Sequence, residues 1–357
     1  MKKLLLILLC LPLLFTTCKK EDDTPTTSGN NNGNNNGQTY VPDDIFEQAL
    51  INLGYDNILD DSVTTANINT VTILDISANL GTNIPKIVDL TGIEDFTSLT
   101  SLNCHRNSLT SLDISSNTAL TQLDCFDNLL TSLDVSSNTA LTNLRCDWNQ
   151  LTSLDVSNNT SLTDLNCGNM KLTSLDVSNN TSFTTLHCQG NQLTSLDVRG
   201  ATALTFIQGY DNQLTTINVS QNTALTYLLL YDNQLISLDV SNNTLLTNMT
   251  CDNNQLTSLD VSNNTSLTDL SCGGNQLASL DVSNNTTLTF LQCHNNNLSS
   301  LDLRNGNNTA FYHLHCENNP NLTCISVDDA SWSTANWITN QSSFGIDTQH
   351  YFSENCQ

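Results

Sequence analysis

The chain has 357 residues, 35 of them acidic and only 10 Lys or Arg, for a net charge of −25 and a pI near 4.1. Nucleic acid and anionic membrane surfaces both demand a basic footprint, so this balance argues against either as a partner. Hydrophobic residues reach only 38% while Asn alone contributes 52, so a core can exist only if the apolar residues recur periodically.

Lys2 and Lys3 precede a twelve-residue apolar run, Leu4 to Phe15, followed by Thr16, Thr17 and Cys18. The run is short for a bilayer span and has the length of a signal-peptide core. The Phe-Thr-Thr-Cys end resembles a bacterial lipobox, with Thr17 departing from the usual small residue. The resemblance implies residues 1–17 as a signal peptide, cleavage before Cys18 and lipidation of its thiol. An ordinary secretory signal is the alternative. Lys19, Lys20, Glu21, Asp22 and Asp23 resemble a surface-export signal, which implies lipid-anchored display on the outer membrane, at the cell surface of a Gram-negative bacterium. The membrane is then met only through that anchor. Residues 18–39 comprise the anchor and an Asn/Gly-rich tether that can bury nothing.

Residues 40–98 read as an N-terminal cap with first, irregular repeats. Asp43-Asp44, then Ile45, Phe46, Ala49, Leu50, Leu53 and Gly54, predict a short amphipathic helix with both of its caps. From 99 to 319 a repeat takes over. Cys104, Cys125, Cys146, Cys167, Cys188, Cys251, Cys272 and Cys293 are spaced by multiples of 21, with Gly209 and Leu230 in the empty slots. Cys316 follows after a two-residue insertion near Asn305 to Asn308. Asn recurs three residues after each of these positions, from Asn107 to Asn319, interrupted by Met170. Leucines hold fixed offsets around them, as in LTSLDVSNNTSLTDLSCGGNQ.

This is leucine-rich-repeat spacing with Cys in place of one strand leucine. It resembles the cysteine-ladder repeat domains of internalin J and related bacterial surface proteins, over roughly residues 87–327. The resemblance implies an α/β-type repeat solenoid, mostly β. It would be a right-handed leucine-rich-repeat solenoid of about eleven 21-residue turns, with a short N-terminal helical cap and a C-terminal cap at 320–357. Each unit is itself double, LTSLDVSNN then LTDLSCGGN, which predicts two strands per turn and two stacked parallel sheets. The recurring Asn is expected to bond turn backbone. In the tail, Trp332, Trp337, Phe344, Tyr351 and Phe352 are expected to form a lid over the last turn. With Cys10 in the signal, Cys18 lipidated and nine cysteines facing inward, Cys324 and Cys356 remain to form a disulfide.

Alternate strand residues point outward, and the two faces differ. The LDV face repeats Ser and an Asp row from Asp113 to Asp302. Each Asp can cap its own turn; weak Ca²⁺ binding is the alternative. The LxC face carries a different outward triplet in every turn. Phe206, Gln208, Tyr210, Tyr227, Leu229 and Tyr231 gather near its middle, where the cysteine column is interrupted, and form the principal candidate ligand-binding site. Cross-strand packing is the plain alternative. Phe126, Arg145 and Trp148 form a second patch. His294, His313, His315 and Glu317 carry Zn²⁺-type donors, although surface histidines without a metal account for them equally simply.

No nucleophile elbow, zinc-protease helix or phosphate loop is present. The sequence therefore predicts a non-enzymatic, monomeric binding protein without a cofactor. A protein partner comes first and a glycan second; a structural, cation-organising surface role is the third reading.

Overall fold

The computed structural model describes residues 37–78, 85–337 and 343–356; the expected signal peptide, the lipidation candidate Cys18 and the expected tether up to residue 36 lie outside them. Residues 37–356 form a parallel-sheet solenoid of about 11 turns. Thirteen short strands, from Ile73–Asp75 to Phe344–Gly345, build one continuous sheet, each strand beside that of the next turn. The register is one full repeat: Leu102 pairs with Leu123, Leu123 with Leu144, and Ile207 with Leu228. Both caps contribute to this sheet, since its first and last strands come from residues outside the regular repeats.

The helix forms at Asp44–Asn52, with the Asp43 side chain accepting from the amides of Ile45 and Phe46 at 2.9 and 3.0 Å. Phe46 and Leu50 are buried, and Gly54 at φ +83° closes the helix as only glycine does cheaply. Leu53, expected on the apolar face, lies at the C-cap and is 46% exposed. The second carboxylate oxygen of Asp43 accepts from Val88 and Asp89, so one side chain both starts the helix and ties it to the first repeats.

The second sheet is discontinuous. Ladder pairing on the LDV side joins 174–176 with 195–197, and 279–281 through 300–302 and 324–326 to 351–353. In paired and unpaired turns alike the Asp side chain also satisfies backbone locally, and Asp176 and Asp281 in the paired strands each accept the serine amide two residues on at 2.8 Å. Asp113 accepts the Ser115 amide at 3.0 Å and hydroxyl at 2.7 Å, and Asp134, Asp155, Asp239 and Asp260 each take the serine amide two residues on. Arg199 and Arg304 stand in the serine position and pair with Asp197 and Asp302.

The serine hydroxyl first, then its amide, hold Asp113, Asp134, Asp239 and Asp260 below the ordinary carboxylate value. At Asp155 the amide is the stronger of the two. A depressed folded-state pKa contributes stability that is present above the unfolded value and lost as pH falls through the folded one. The urea midpoint is therefore expected to stay level between about pH 7 and 5 and to fall below about pH 4. A midpoint that rises on acidification would mean that relief of Asp–Asp repulsion outweighs the caps.

Two Asn columns run through the interior. Asn128 accepts from the Leu109 amide at 3.0 Å and donates to the Cys104 and Cys125 carbonyls at 3.1 Å each, and its equivalents repeat the arrangement turn by turn. Asn117, Asn138, Asn159, Asn180, Asn222, Asn243, Asn264 and Asn285 form the other column, each fully buried. The insertion after Asn305 is absorbed by a short 3-10 turn, Asn308–Ala310, whose Asn308 bonds back to the Leu303 carbonyl at 2.6 Å.

The nine ladder cysteines are buried and unpaired. Burial pushes the Cys188 thiol up to about 12 and its neighbours well above the ordinary thiol value, so they remain thiols and pack as small apolar groups. At the ladder's break, the Leu230 side chain reaches to within 3.3 Å of where a Cβ on Gly209 would stand. The large residue thus occupies the room that the small one leaves. Cys324 and Cys356 are joined by a disulfide with Cα atoms 5.8 Å apart. Around it Trp337 is buried, with Phe311, Trp332, Phe344 and Phe352 rings at 5.4 to 6.4 Å. Tyr351, expected in this lid, instead points out and is 58% exposed.

Candidate functional site

The continuous sheet presents three outward positions per turn. They are followed by a residue that reverses the chain with φ between 53° and 64° at Arg106, Asp127, Trp148, Asn169, Asp211, Asp232, Asn253, Asn295 and Asn318. Gly190 and Gly274 occupy the same slot. The left-handed region suits Asn, Asp and Gly, and the recurrence of these three residue types is the sequence signal for this column. Arg106 and Trp148 are its costly exceptions.

The mid-face residues come together as one patch. Phe206 pairs in register with Tyr227, ring centroids 5.8 Å apart, and Tyr210 stacks on Tyr231 at 4.2 Å with planes 12° apart. Gln208 donates to the Tyr210 hydroxyl at 3.2 Å, and its Oε1 lies 2.8 Å from Nδ1 of His187. His187 in turn packs on Phe206 at 5.0 Å. Tyr227 is 42% exposed, while Phe206, Gln208, Tyr210, Leu229 and Tyr231 are half-buried. Burial first, then the hydrogen bond with Tyr210, then the carboxylates of Asp232 and Asp211 push the Tyr231 phenol up to about 12. The patch is thus aromatic, cross-bonded and open to solvent at Tyr227.

The second patch is rearranged. Phe126 is only 7% exposed, because the guanidiniums of Arg145 and Arg106 cover its ring at 3.7 and 5.0 Å and His105 meets it edge-on at 4.7 Å. It supports Arg145 rather than offering a contact of its own. Arg145 is held by Asp147 at 3.1 Å and Asp124 at 3.7 Å. Trp148 is 59% exposed. Beside Arg145 runs a shallow trough of about 450 Å³ lined by Asn103, Gln122, Asp124, Asn143, Asp164 and His187 among others.

The histidine cluster does not assemble as a metal site. His313 stacks between Phe290 at 4.2 Å and His315 at 4.4 Å, and its Nε2 faces Gln292 at 2.9 Å. His315 pairs with Glu317 at 3.0 Å, and His294 stands off at 6.4 Å ring to ring. Stacking at strand spacing thus sets the rings side by side instead of converging their nitrogens. Among the described residues the one group of three converging donors is Asp44, Glu47 and Asp61. There Glu47 is buried and already accepts the amides of Asp60, Asp61 and Ser62, which makes it a loop cap.

No protein-family model matches the sequence, and no curated protein sequence does. Solved structures do. The functional domain of InlJ from Listeria monocytogenes, which includes a cysteine ladder, is 32% identical over 82% of this chain and 77% of that one, with a TM-score of 0.61. A leucine-rich-repeat protein of Leptospira interrogans is 25% identical over 66% of this chain and 68% of its own, with a TM-score of 0.57. An internalin of L. monocytogenes, InlF, shares the fold at 22% identity, 89% and 96% coverage and a TM-score of 0.59. By its repeat, its buried cysteine column and its likeness to InlJ, the chain belongs to the cysteine-ladder leucine-rich-repeat proteins of the internalin J type.

Proposed function

We propose that the protein is a surface-anchored, non-enzymatic binding protein that takes a protein partner on its continuous sheet, in adhesion to a host or neighbouring cell. The observation that carries this reading is the contrast between two faces of one repeat. The Asp-Ser side is copied from turn to turn, whereas the sheet side varies in every turn and holds a solvent-open aromatic patch where the core ladder is interrupted. Stacked turns fix the presented side chains in advance, so binding costs little ordering entropy. The lipobox-like Cys18 and the charged residues after it support lipid anchoring at the outer surface of a Gram-negative bacterium.

Buried aromatic anchors dominate protein interfaces, so a Tyr210, Tyr227 and Tyr231→Ala triple variant is expected to bind partner cells at least about thirtyfold more weakly in an adhesion assay, with unchanged melting. Wild-type adhesion by that variant would move the site elsewhere. A glycan is the second reading, favoured by the trough beside Arg145, because planar amides and carboxylates match sugar hydroxyls. A glycan array run with the same variant separates the two: array signal without cell-protein dependence would replace the first reading with the second.

A further inference from the structure

The stacked pair Tyr210 and Tyr231 is followed on both turns by an acidic residue. Asp211 and Asp232 are exposed, and each holds its backbone at φ 54° immediately after the tyrosine. Neighbouring turns place equivalent atoms about 4.8 Å apart, so the two rings and two carboxylates form one compact block. The Asp211 amide donates to the Tyr231 carbonyl at 3.1 Å, which ties the two turns together here, and both carboxylates, after burial and Tyr210, help to raise the Tyr231 phenol. The next turn adds the carboxylate of Asp252, committed to the Ser271 hydroxyl at 2.7 Å and the Gly273 amide at 2.8 Å.

No cation answers this charge. From Thr185 to Asn253, the outward and chain-reversing positions of the sheet hold three carboxylates, one histidine (His187) and neither Lys nor Arg. Among the described residues, the arginine ion pairs use Asp124, Asp147, Asp197 and Asp302 and leave Asp211 and Asp232 without a basic partner. Asp232 is met only by the Asn253 amide, at 2.8 Å. The Asp row on the opposite side differs, because each of its carboxylates serves its own turn. Aromatic faces beside unspent carboxylates attract a cation by quadrupole and charge together, and a planar guanidinium can stack on a ring while bonding an acid.

We infer that Tyr210, Tyr231, Asp211 and Asp232 form a seat for a basic side chain, an arginine above a lysine, so that the partner's contacting segment is basic. This rests on the protein-partner reading above and adds the chemistry of that partner. Encounter would then be steered by charge and weaken with salt.

The test uses the immobilised full chain and three synthetic probes, (Gly-Arg)6, (Gly-Lys)6 and (Gly-Glu)6, with maltohexaose as the saccharide arm. Wild type is expected to rank the arginine peptide above the lysine peptide and to ignore the other two. Asp211→Asn with Asp232→Asn should weaken the arginine peptide about tenfold, the scale of two exposed ion pairs. A charge-matched control, Asp134→Asn with Asp155→Asn on the far face, should change it less than about twofold. Equal losses in both double variants, no loss in either, or preference for the glutamate peptide or the saccharide would each overturn the inference. The cell assay separates the two levels. Adhesion lost in the tyrosine variant but kept in Asp211→Asn with Asp232→Asn discards the basic seat and keeps the face, whereas adhesion kept in both discards the face itself.

Discussion

Asn159→Asp is expected to cost about 3–5 kcal/mol of stability, while the same change one residue earlier, Asn158→Asp, stays within about 0.5 kcal/mol. The pair of substitutions is chemically identical; only burial differs, since Asn159 is fully enclosed and Asn158 faces solvent. The Asn159 amide donates to the Val135 and Asn138 carbonyls, both at 2.9 Å, stitching its turn to the one before. A carboxylate has no proton to give, so both carbonyls lose this donor, keep only the turn amides of Asn138 and Leu141, and face a buried negative charge. Protonating the new Asp restores at most one bond. The Asn159 side-chain oxygen is buried without a partner, so the native arrangement gains nothing from its acceptor half and everything from its donor half. Urea unfolding followed by circular dichroism measures both variants, and a gap below about 1 kcal/mol between them would be incompatible with the column as a structural stitch.

Periodicity is what made the fold legible. Leu, Cys and Asn at fixed offsets dictate a turn whose apolar side chains must stack, and the register from Leu102 through Leu291 follows from that repeat alone. Departures from expectation occur where the repeat stops: Leu53 and Tyr351 are exposed because they lie at ends where no further turn covers them. The candidate site was legible as a list of varied positions but not as geometry. A triplet pattern cannot tell that Phe126 lies beneath two guanidiniums, or that Tyr210 and Tyr231 stack while Phe206 and Tyr227 only tilt. Asp211 and Asp232 do not stand out in the sequence, because they occupy a position whose Asn, Asp and Gly content reads as turn chemistry. Their second property, the absence of a basic neighbour, emerges only when the turns are stacked.

Cys356→Ser is expected to release the C-terminal cap without unfolding the turns far from it. The Cys324–Cys356 bond closes a loop with a sequence separation of 32, for which loop-closure entropy gives about 3–4 kcal/mol. That contribution acts on a small unit, beside its aromatic cluster and the Phe344–Gly345 strand. Its helix, Ala330–Asn336, is under two turns long, and its packing centres on Trp337. The last strand, Tyr351–Ser353, pairs only with Cys324–Ser326. In a solenoid each turn contacts only its neighbours, so loss of the end exposes Leu314, Ile325 and Val327 and leaves the N-terminal turns with all of their own partners. Hydrogen exchange resolved by segment should therefore speed up over 322–353 and remain unchanged over 101–200. Faster exchange along the whole solenoid would mean that the cap and the repeats unfold as one unit, and no change in either segment would mean that the aromatic packing suffices without the bond. The freshly opened edge is also an unpaired strand of the parallel sheet, so the variant should self-associate more strongly with concentration than the disulfide-bonded protein does.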